Sequence, residues 1–296
     1  MATLVVLAAT MGNKYGGLKY LEGIGPNGET ILDYSIYDAA KVGFKKVIFV
    51  ISKYFEEEFK NKVSCKYKNL IAVEYVYQEV DLVPLEERNP KRSLLWGSAH
   101  AILLAQPLVN GSFGVINAVN FYQRESFELL YKNLPQPDSS FYTLVAFRLM
   151  NVMPESGGVT RGICNIGSDG HLRSVIDRHG VELVYGNPMY LNEINKRVEL
   201  KENEFVSMNM WGFNSSIFNS LKIAFDQFIK EKGKDMKAHF SIPDFINQMV
   251  HAGTVVKAIE TPGKWMGLVS SDDRSQVILR IHDLIKKEVY PNKLFD

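Results

Sequence analysis

The stretch that decides the fold is Thr3–Thr30, which reads TLVVLAAT, MGNKYGGLKY and LEGIGPNGET in succession. It opens with a continuous apolar run that ends in small residues and a glycine, which is typical of a strand buried on both faces of a parallel sheet. Loops after such strands commonly bind phosphates, because small residues let the backbone approach the ligand closely. Lys14 and Lys19 would add the positive charge that a triphosphate requires. The alternative to phosphate binding is an ordinary turn between a strand and a helix, with two solvated lysines.

Length, charge and cysteine content set broad limits. The chain has 296 residues and a formal net charge of +1, which suits one large α/β domain or two small ones and gives no basic footprint for nucleic acid. Cys65 and Cys164 are too few for a disulfide framework or a zinc cluster. The N-terminus lacks a basic n-region and the apolar runs are too short to span a bilayer. We therefore expect a cytoplasmic protein without nucleic-acid or membrane partners, and a homo-oligomer stays open.

Strands and helices alternate through the first half of the chain. The predicted strands are Leu4–Ala9, Lys46–Ile51, Ile71–Gln78 and Phe113–Asn117. The predicted helices are Asp33–Val42, Tyr54–Lys62, Ser98–Ala105 and Gln123–Asn133. This order favours a doubly wound, mostly parallel, Rossmann-like sheet. Asp33 is the expected N-cap of its helix and Gly43 the expected stop.

The pattern changes after Ser140, where strands follow one another with few helices between them. These strands are Phe141–Leu149, Gly162–Ile166, Leu172–Ile176, Val181–Tyr185 and Phe205–Phe213, and they predict a smaller antiparallel region. Helices return at Ile217–Lys230, Pro243–Ala252 and Arg274–Glu288, with a strand at Thr254–Ile259. The polar segment Asp81–Ser93 contains two prolines and predicts a flexible loop that could close over a ligand.

Several segments, in this order, resemble those of the sugar-nucleotide nucleotidyltransferases, also called NDP-sugar pyrophosphorylases. They are LAATMGNKYGGLK (7–19), GPNGETILDYSIYDA (25–39), LLWGSAHAILLA (94–105), VINAVNFY (115–122) and SMNMWGF (207–213). The resemblance covers essentially the whole chain. It implies a single nucleotidyltransferase domain over 1–296, of the nucleotide-diphospho-sugar transferase type. Residues 1–138 would form the nucleotide-binding half, and 139–296 the sugar-phosphate-binding half with the C-terminal helices.

The resemblance also implies a reaction. A sugar 1-phosphate, or a related small phosphate, attacks the α-phosphate of a nucleoside triphosphate, and pyrophosphate leaves while Mg²⁺ bridges the phosphates. Lys14 and Lys19 would be the catalytic cations. The implied nucleotide-binding residues are Ala8, Ala9, Thr10, Met11, Gly12, Asn13, Gln78, Gly97, Ser98 and Ala99. The implied sugar-side residues are Gly162, Asp177 and Asn209.

Each assigned side chain also has a purely structural interpretation. The alternatives are a strand cap for Gln78, a helix cap for Ser98, helix packing for His100, a satisfied buried amide for Asn209 and a surface ion pair with Arg173 or Arg178 for Asp177. The sequence leaves these alternatives open.

The chain departs from the family pattern where the pattern matters for catalysis. Thr10 stands in place of a glycine, and Lys14 stands in place of an arginine. The lysine keeps the positive charge but lacks the planar guanidinium that can make two parallel hydrogen bonds. Val119 and Asn120 stand where metal-holding acids are expected, and hard cations prefer anionic oxygen ligands. The second expected metal position, near Gly267, is not acidic either, so the metal ligands are unknown.

Asp272 and Asp273 follow a few residues on and would either compensate for the missing acids or cap the next helix.

Two functional hypotheses follow. The chain is either an active nucleotidyltransferase with an altered metal site, or a catalytically degenerate pseudoenzyme that binds a nucleotide or sugar phosphate. A nicotinamide-binding oxidoreductase is disfavoured, because LAATMGNKYGG lacks the G-x-G-x-x-G spacing.

Overall fold

The computed structural model describes residues 2–9, 23–154, 157–267 and 273–295, without the side chain of Asp273. The strands are β1 Thr3–Leu7, β2 Lys46–Ile51, β3 Ala72–Tyr77, β4 Ser112–Asn117, β5 Asn120–Phe121, β6 Phe141–Arg148, β7 Val159–Ile166, β8 Leu172–Val184, β9 Asn187–Leu191, β10 Arg197–Glu199, β11 Phe205–Asn214, β12 Val255–Thr261 and β13 Met266–Gly267. The helices are α1 Ile31–Val42, α2 Glu56–Lys62, α3 Ser98–Leu104, α4 Arg124–Lys132, α5 Ile217–Lys232, α6 Ile242–His251 and α7 Asp273–Lys286.

Most of these strands form one mixed sheet. Its path runs β10-β9-β8-β7-β11-β4-β1-β2-β3, and β6 joins β11 to β12. The strands β4, β1, β2 and β3 are parallel, whereas β7 to β11 pair antiparallel. The predicted doubly wound, mostly parallel sheet with an antiparallel region is therefore confirmed.

Helices cover both faces of the parallel strands. Leu4 and Val6 of β1 belong to one core cluster with residues of α1 and α2, and Val5 belongs to another with residues of α3, α5 and α6. Successive strand residues point to opposite faces, which is why an unbroken apolar run is needed where both faces are covered.

The start of α1 differs from its prediction. Thr30, not Asp33, is the N-cap: its hydroxyl accepts a hydrogen bond from Asp33 N at 3.3 Å. The Asp33 carboxylate in turn accepts from Thr30 N at 2.6 Å, which completes a capping box. An aspartate three residues inside a helix can be mistaken for its cap because both positions favour acids. Gly43 ends the helix as predicted, with φ of 122°.

The antiparallel region holds longer and additional strands. The sequence predicts Leu172–Ile176 and Val181–Tyr185 as separate strands, yet the single strand β8 runs through both segments and ends at Val184. Gly180, with φ of 61°, lets the strand continue through a register shift against β9. The strands β9 and β10 were missed, because β9 carries a proline and β10 alternates charges without an apolar face.

The Asp81–Ser93 segment is tied to the connection between α5 and α6. Arg92 is buried and donates to the carbonyls of Asp235 at 2.8 Å and Ala238 at 2.7 Å. Its guanidinium lies 3.9 Å from the centre of the Trp96 ring. These contacts anchor a segment for which the sequence predicted a flexible loop.

Within the described ranges, every helix is too short or too polar to cross a bilayer.

Candidate functional site

The carboxyl ends of the parallel strands meet at one edge of the sheet. Ala8 N, just after β1, donates to Val50 O of β2 at 2.9 Å, and Ala118 N, just after β4, donates to Leu7 O at 3.1 Å. Gln78 N, which follows β3, donates to Ile51 O at 2.9 Å. Ligands of open α/β sheets bind at this edge.

The loop that follows Ala9 at this edge falls largely outside the described residues. Thr10, Met11, Gly12, Asn13, Lys14 and Lys19 all lie there, so their roles stay predictions. The side chains of Ala8 and Ala9 are buried in two different core clusters.

Gln78 has a buried side chain with defined partners. Its Nε2 donates to Gly97 O at 2.8 Å and lies 3.2 Å from Nδ1 of His100. The His100 ring stacks on Phe225 with 4.4 Å between ring centres. Burial lowers the pKa of His100 to about 4, so its imidazole is neutral at physiological pH. The hydrogen bond from the amide shows that Gln78 does more than end its strand.

The Gly97–Ala99 segment packs on the chain just before α6. Gly97 has φ of 118°, and a Cβ at this position would overlap the backbone of Phe240. Ala99 N donates to Phe240 O at 3.1 Å, and the Ser98 hydroxyl accepts from Ile242 N at 2.9 Å. Ser98 therefore does not cap its own helix, where Gly97 is the N-cap residue.

A buried tyrosine hydroxyl joins the end of β4 to β11. Tyr122 Oη accepts from Asn117 N and from Asn120 Nδ2, both at 3.0 Å, and donates to Met208 O at 3.0 Å. Burial raises the pKa of this hydroxyl, so it stays protonated and able to donate. Sequence reasoning missed Tyr122, because a tyrosine after a buried strand has no pattern that separates a linking role from core packing.

Asn209 lies at an irregularity of β11 beside this network. One edge of β11 pairs with β7 up to Ser207 and with β4 from Trp211, so residues 208–210 lie between the two ladders. Asn209 has φ of 58°, a conformation that asparagine tolerates better than most residues. Its Oδ1 lies 3.4 Å from Nε1 of Trp211, so the amide has one weak side-chain partner.

Gly162 and Asp177 lie side by side on the antiparallel strands. Gly162 pairs with Ser207 of β11 on one side and with Asp177 of β8 on the other. A Cβ at Gly162 would lie 3.0 Å from Val175 Cγ1 and 3.3 Å from Asp177 Oδ1. The glycine therefore leaves space in front of the carboxylate.

The surface ion pair considered for Asp177 does not form. Arg173 pairs with Asp169 at 2.7 Å, and the Arg178 guanidinium lies over the Tyr190 ring at 4.7 Å. Although the residue as a whole is solvent-accessible, desolvation of the carboxyl group raises the pKa of Asp177. The charge of Asp244 raises it further, and His179 opposes both effects.

The expected metal positions meet in space but offer no suitable ligands. Asn120 of β5 pairs directly with Gly267 of β13, and Val119 packs against an apolar core that also contacts Trp265. The side-chain amide of Asn120 donates a hydrogen bond to the Tyr122 hydroxyl. A Cβ at Gly267 would lie 2.5 Å from the Trp265 ring, so a larger side chain does not fit there. In the described ranges, no group of three or more His, Cys, Asp or Glu could hold a metal ion. These residues do not fit Mg²⁺, which prefers carboxylate oxygens.

Asp272 and the Asp273 side chain, the other acids considered from the sequence, lie outside the described residues.

Comparison with known proteins identifies the family. A family model described as nucleotidyl transferase matches residues 24–273. The chain belongs to the nucleotidyl transferase family. A search of curated proteins finds no match.

Several solved structures share the fold at low sequence identity. The inositol-1-phosphate CTP transferase from T. maritima is 14% identical, with 96% of each chain covered and a TM-score of 0.63. A UDP-glucose pyrophosphorylase complexed with UDP-glucose is 15% identical, with 96% of this chain and 99% of that chain covered and a TM-score of 0.61. A putative glucose-1-phosphate thymidylyltransferase from Bacillus anthracis is 14% identical, with 96% of each chain covered and a TM-score of 0.61. At these identities the likeness establishes the fold alone.

Proposed function

We propose that this protein transfers a nucleoside monophosphate from a nucleoside triphosphate to a sugar 1-phosphate or a related phosphorylated alcohol, with release of pyrophosphate. One observation carries the proposal: the ends of β1, β3 and β4 and the irregular part of β11 meet at one edge of the sheet. Family membership and the usual position of ligands in open α/β sheets support this edge as the place for nucleotide and acceptor.

The nucleotide side of the proposed site extends from the loop after β1 to the end of β3. The base would lie near the Gln78 side chain and near the backbone of Gly97 and Ala99. The triphosphate would lie along Thr10–Asn13. Gln78 supports this placement, because it is a buried amide at the carboxyl edge whose side-chain hydrogen bonds to described residues use Nε2.

The acceptor side of the proposed site is formed by the antiparallel strands. Gly162 leaves room beside Asp177, whose carboxylate accepts hydrogen bonds from hydroxyl groups. Asn209 offers an amide at a position of β11 that lies outside the regular ladders. A polyhydroxylated acceptor matches these groups better than an apolar one.

The proposed reaction is an in-line displacement. An oxygen of the acceptor phosphate forms a bond to the α-phosphorus while the bond to the pyrophosphate oxygen breaks. Lys14 would stabilise the charge on the leaving pyrophosphate, and Lys19 would neutralise the α-phosphate and the incoming phosphate. Holding both phosphates in line supplies much of the rate enhancement in such reactions.

A second candidate is a pseudoenzyme that binds a nucleotide or a sugar phosphate without efficient turnover. It is favoured by the valine, amide and glycine at the two expected metal positions. Loss of a metal carboxylate would cost several powers of ten in rate, since metal ions contribute several kcal/mol to transition-state stabilisation.

Titration calorimetry with UTP, CTP, GTP, ATP and dTTP, each with and without Mg²⁺, tests both candidates. Binding of one nucleotide that depends on Mg²⁺, followed by pyrophosphate release with glucose 1-phosphate or inositol 1-phosphate, would support the transferase. Binding that ignores Mg²⁺, without pyrophosphate release, would support the pseudoenzyme. Lys19→Ala should weaken nucleotide or sugar-phosphate binding, and unchanged affinity for both would remove Lys19 from the site.

We also propose that the protein acts in the cytoplasm on these small molecules, as a monomer or a homo-oligomer.

A further inference from the structure

The C-terminal segment, residues 274–295, packs against the part of the chain that follows the proposed phosphate loop. The two parts share a third core cluster, distinct from the two clusters on the faces of the sheet. This cluster brings Ile24, Ile31 and Tyr34 together with Val277, Ile281 and Tyr290. The chain that leaves the loop is therefore covered by a segment that lies far away in sequence.

Polar contacts fasten the same segment to the turn formed by residues 23–29. Ile24 N and Gly25 N both donate to Glu29 O, at 2.7 Å and 2.9 Å, which closes the turn on itself. The Arg274 guanidinium donates to Gly23 O at 2.9 Å. Asn27 Nδ2 donates to Asn292 O at 2.6 Å. The turn is thus a compact unit that the C-terminal segment holds from outside.

A buried carboxylate fixes where the segment docks. Asp38 of α1 is fully buried and accepts from Tyr290 Oη at 2.5 Å and from Arg124 Nε at 3.0 Å. Arg124 Nη2 also donates to Val289 O at 3.1 Å. A buried carboxylate is costly without its partners, so the segment is held at one defined position.

The family match ends at the residues that make this contact. The nucleotidyl transferase model matches residues 24–273, so Gly23 and Arg274 lie just outside its two ends. The hydrogen bond between them joins two parts of the chain that the matched family pattern does not include.

We propose that the C-terminal segment clamps the turn 23–29, through which the chain leaves the proposed phosphate loop, and so positions that loop for triphosphate. Tyr290 and Asn27 are then positioning residues, which act through the turn and do not contact the ligand. A loop whose exit is already fixed loses less conformational entropy on binding, so its affinity is higher. Because coupling between two sites is reciprocal, bound triphosphate should in turn stabilise the docked segment. This inference rests on the proposed function.

Hydrogen exchange on the native full chain tests the coupling directly. Exchange in residues 23–29 and 284–295 is followed by mass spectrometry, with and without saturating inorganic triphosphate. We expect both segments to exchange several times more slowly when triphosphate is bound. Unchanged exchange in residues 284–295 with triphosphate bound would overturn the clamp.

Tyr290→Phe releases one anchor of the clamp. The change removes the hydroxyl that binds Asp38 and keeps the ring against Tyr34. We expect the affinity for inorganic triphosphate, measured by titration calorimetry, to fall roughly fivefold or more, the usual lower size of coupling between two sites.

Thr143→Val is the matched control for this variant. It also removes one buried hydroxyl donor, which binds Asn133 O at 2.7 Å. Thr143 pairs with Gly212, which pairs with Gly114 in the first half of β4, so the control lies toward the opposite edge of the sheet. Both variants should unfold at a lower temperature, but Thr143→Val should bind triphosphate as the native chain does. Equal affinities in the two variants would show that the Tyr290 anchor has only a structural role.

Asn27→Ala keeps the test independent of the buried anchor. Asn27 is exposed, so this variant should fold, and the change removes the donor to Asn292 O. We expect weaker binding of triphosphate and faster exchange in residues 284–295. Native values for both would contradict the clamp.

Nucleotide assays separate the clamp from the proposed function. If the chain binds triphosphate with the expected coupling but releases no pyrophosphate from any nucleotide and acceptor, the clamp stands and the transferase falls. If triphosphate binds without the coupling, the clamp falls and the transferase stands. If neither triphosphate nor any nucleotide binds, both proposals fall.

Discussion

At the scale of single residues, the site depends on groups whose hydrogen bonds are fully used. The Tyr122 hydroxyl makes three hydrogen bonds to the end of β4, to Asn120 and to Met208 O. A hydroxyl has one proton to donate and two lone pairs, so this group is saturated. Asn120 is consequently a structural link here, at a position where the family resemblance places a metal-binding acid.

Replacement of Tyr122 by phenylalanine should destabilise the fold. The change removes one hydroxyl, so Asn117 N loses its partner and Asn120 Nδ2 and Met208 O keep only their weak 3.4 Å hydrogen bond to each other, which costs roughly 1–3 kcal/mol. Tyr131→Phe, at a tyrosine 39% exposed, serves as the control and should change stability much less. Urea unfolding of both variants gives the comparison. Equal stabilities would show that the Tyr122 network contributes little.

His100 should make stability depend on acid. Its pKa is about 4 in the folded chain against about 6.5 when unfolded, so only the unfolded form takes up the proton between these values. Stability is therefore lost as the pH falls below 6.5, by roughly 2 kcal/mol between pH 8 and pH 5. Burial raises the pKa of Asp38 to about 7, so protonation of Asp38 makes the folded chain more stable as the pH falls and opposes the effect of His100.

Unfolding of the native chain and of His100→Phe at several pH values isolates this effect. Because Asp38 is common to both, the stability difference between them should change by that amount. A pH-independent difference would contradict the low pKa of His100.

At the scale of elements, close packing of backbone segments shapes the base side of the site. α3 approaches the chain before α6 so closely that only glycine fits at Gly97. The Arg92 guanidinium ties the preceding loop to the same connection. A segment that looks flexible in sequence is thus anchored to the same connection on which Gly97 packs.

Gly97→Ala tests this contact against a matched control. Gly97 and Gly186 both have positive φ, 118° and 87°, but a Cβ meets the Phe240 backbone only at Gly97. Both substitutions should incur backbone strain of order 1 kcal/mol, and Gly97→Ala should lose roughly 2 kcal/mol more through overlap. Thermal unfolding measures the difference. Similar losses in the two variants would mean that the segment before α6 can move away.

At the scale of the whole molecule, distant parts of the chain converge where the resemblance places the metal. β5 and β13 pair although they are far apart in sequence, and this pairing sets Asn120 opposite Gly267. An acid at position 267 would clash with Trp265, which leaves Val119 as the more accessible place to restore a carboxylate.

Val119→Asp should raise the affinity for divalent cations and raise any transferase rate. Val119→Asn has the same size without the charge and is the matched control. Binding of Mn²⁺, followed by electron paramagnetic resonance in the presence of the bound nucleotide, should strengthen for the aspartate variant alone. If both variants match the native chain, this strand end does not hold the metal.

The sequence by itself determined the alternation of strands and helices, the parallel core and the family, because local apolar patterns, caps and loop residues encode these features. Which side chains remain available to a ligand was decided only by the tertiary structure. Ser98 is bonded to Ile242, 144 residues away, and Tyr122 to Met208, 86 residues away. A hydrogen bond depends on distance and direction in space, and the spacing of residues along the chain does not contain that information.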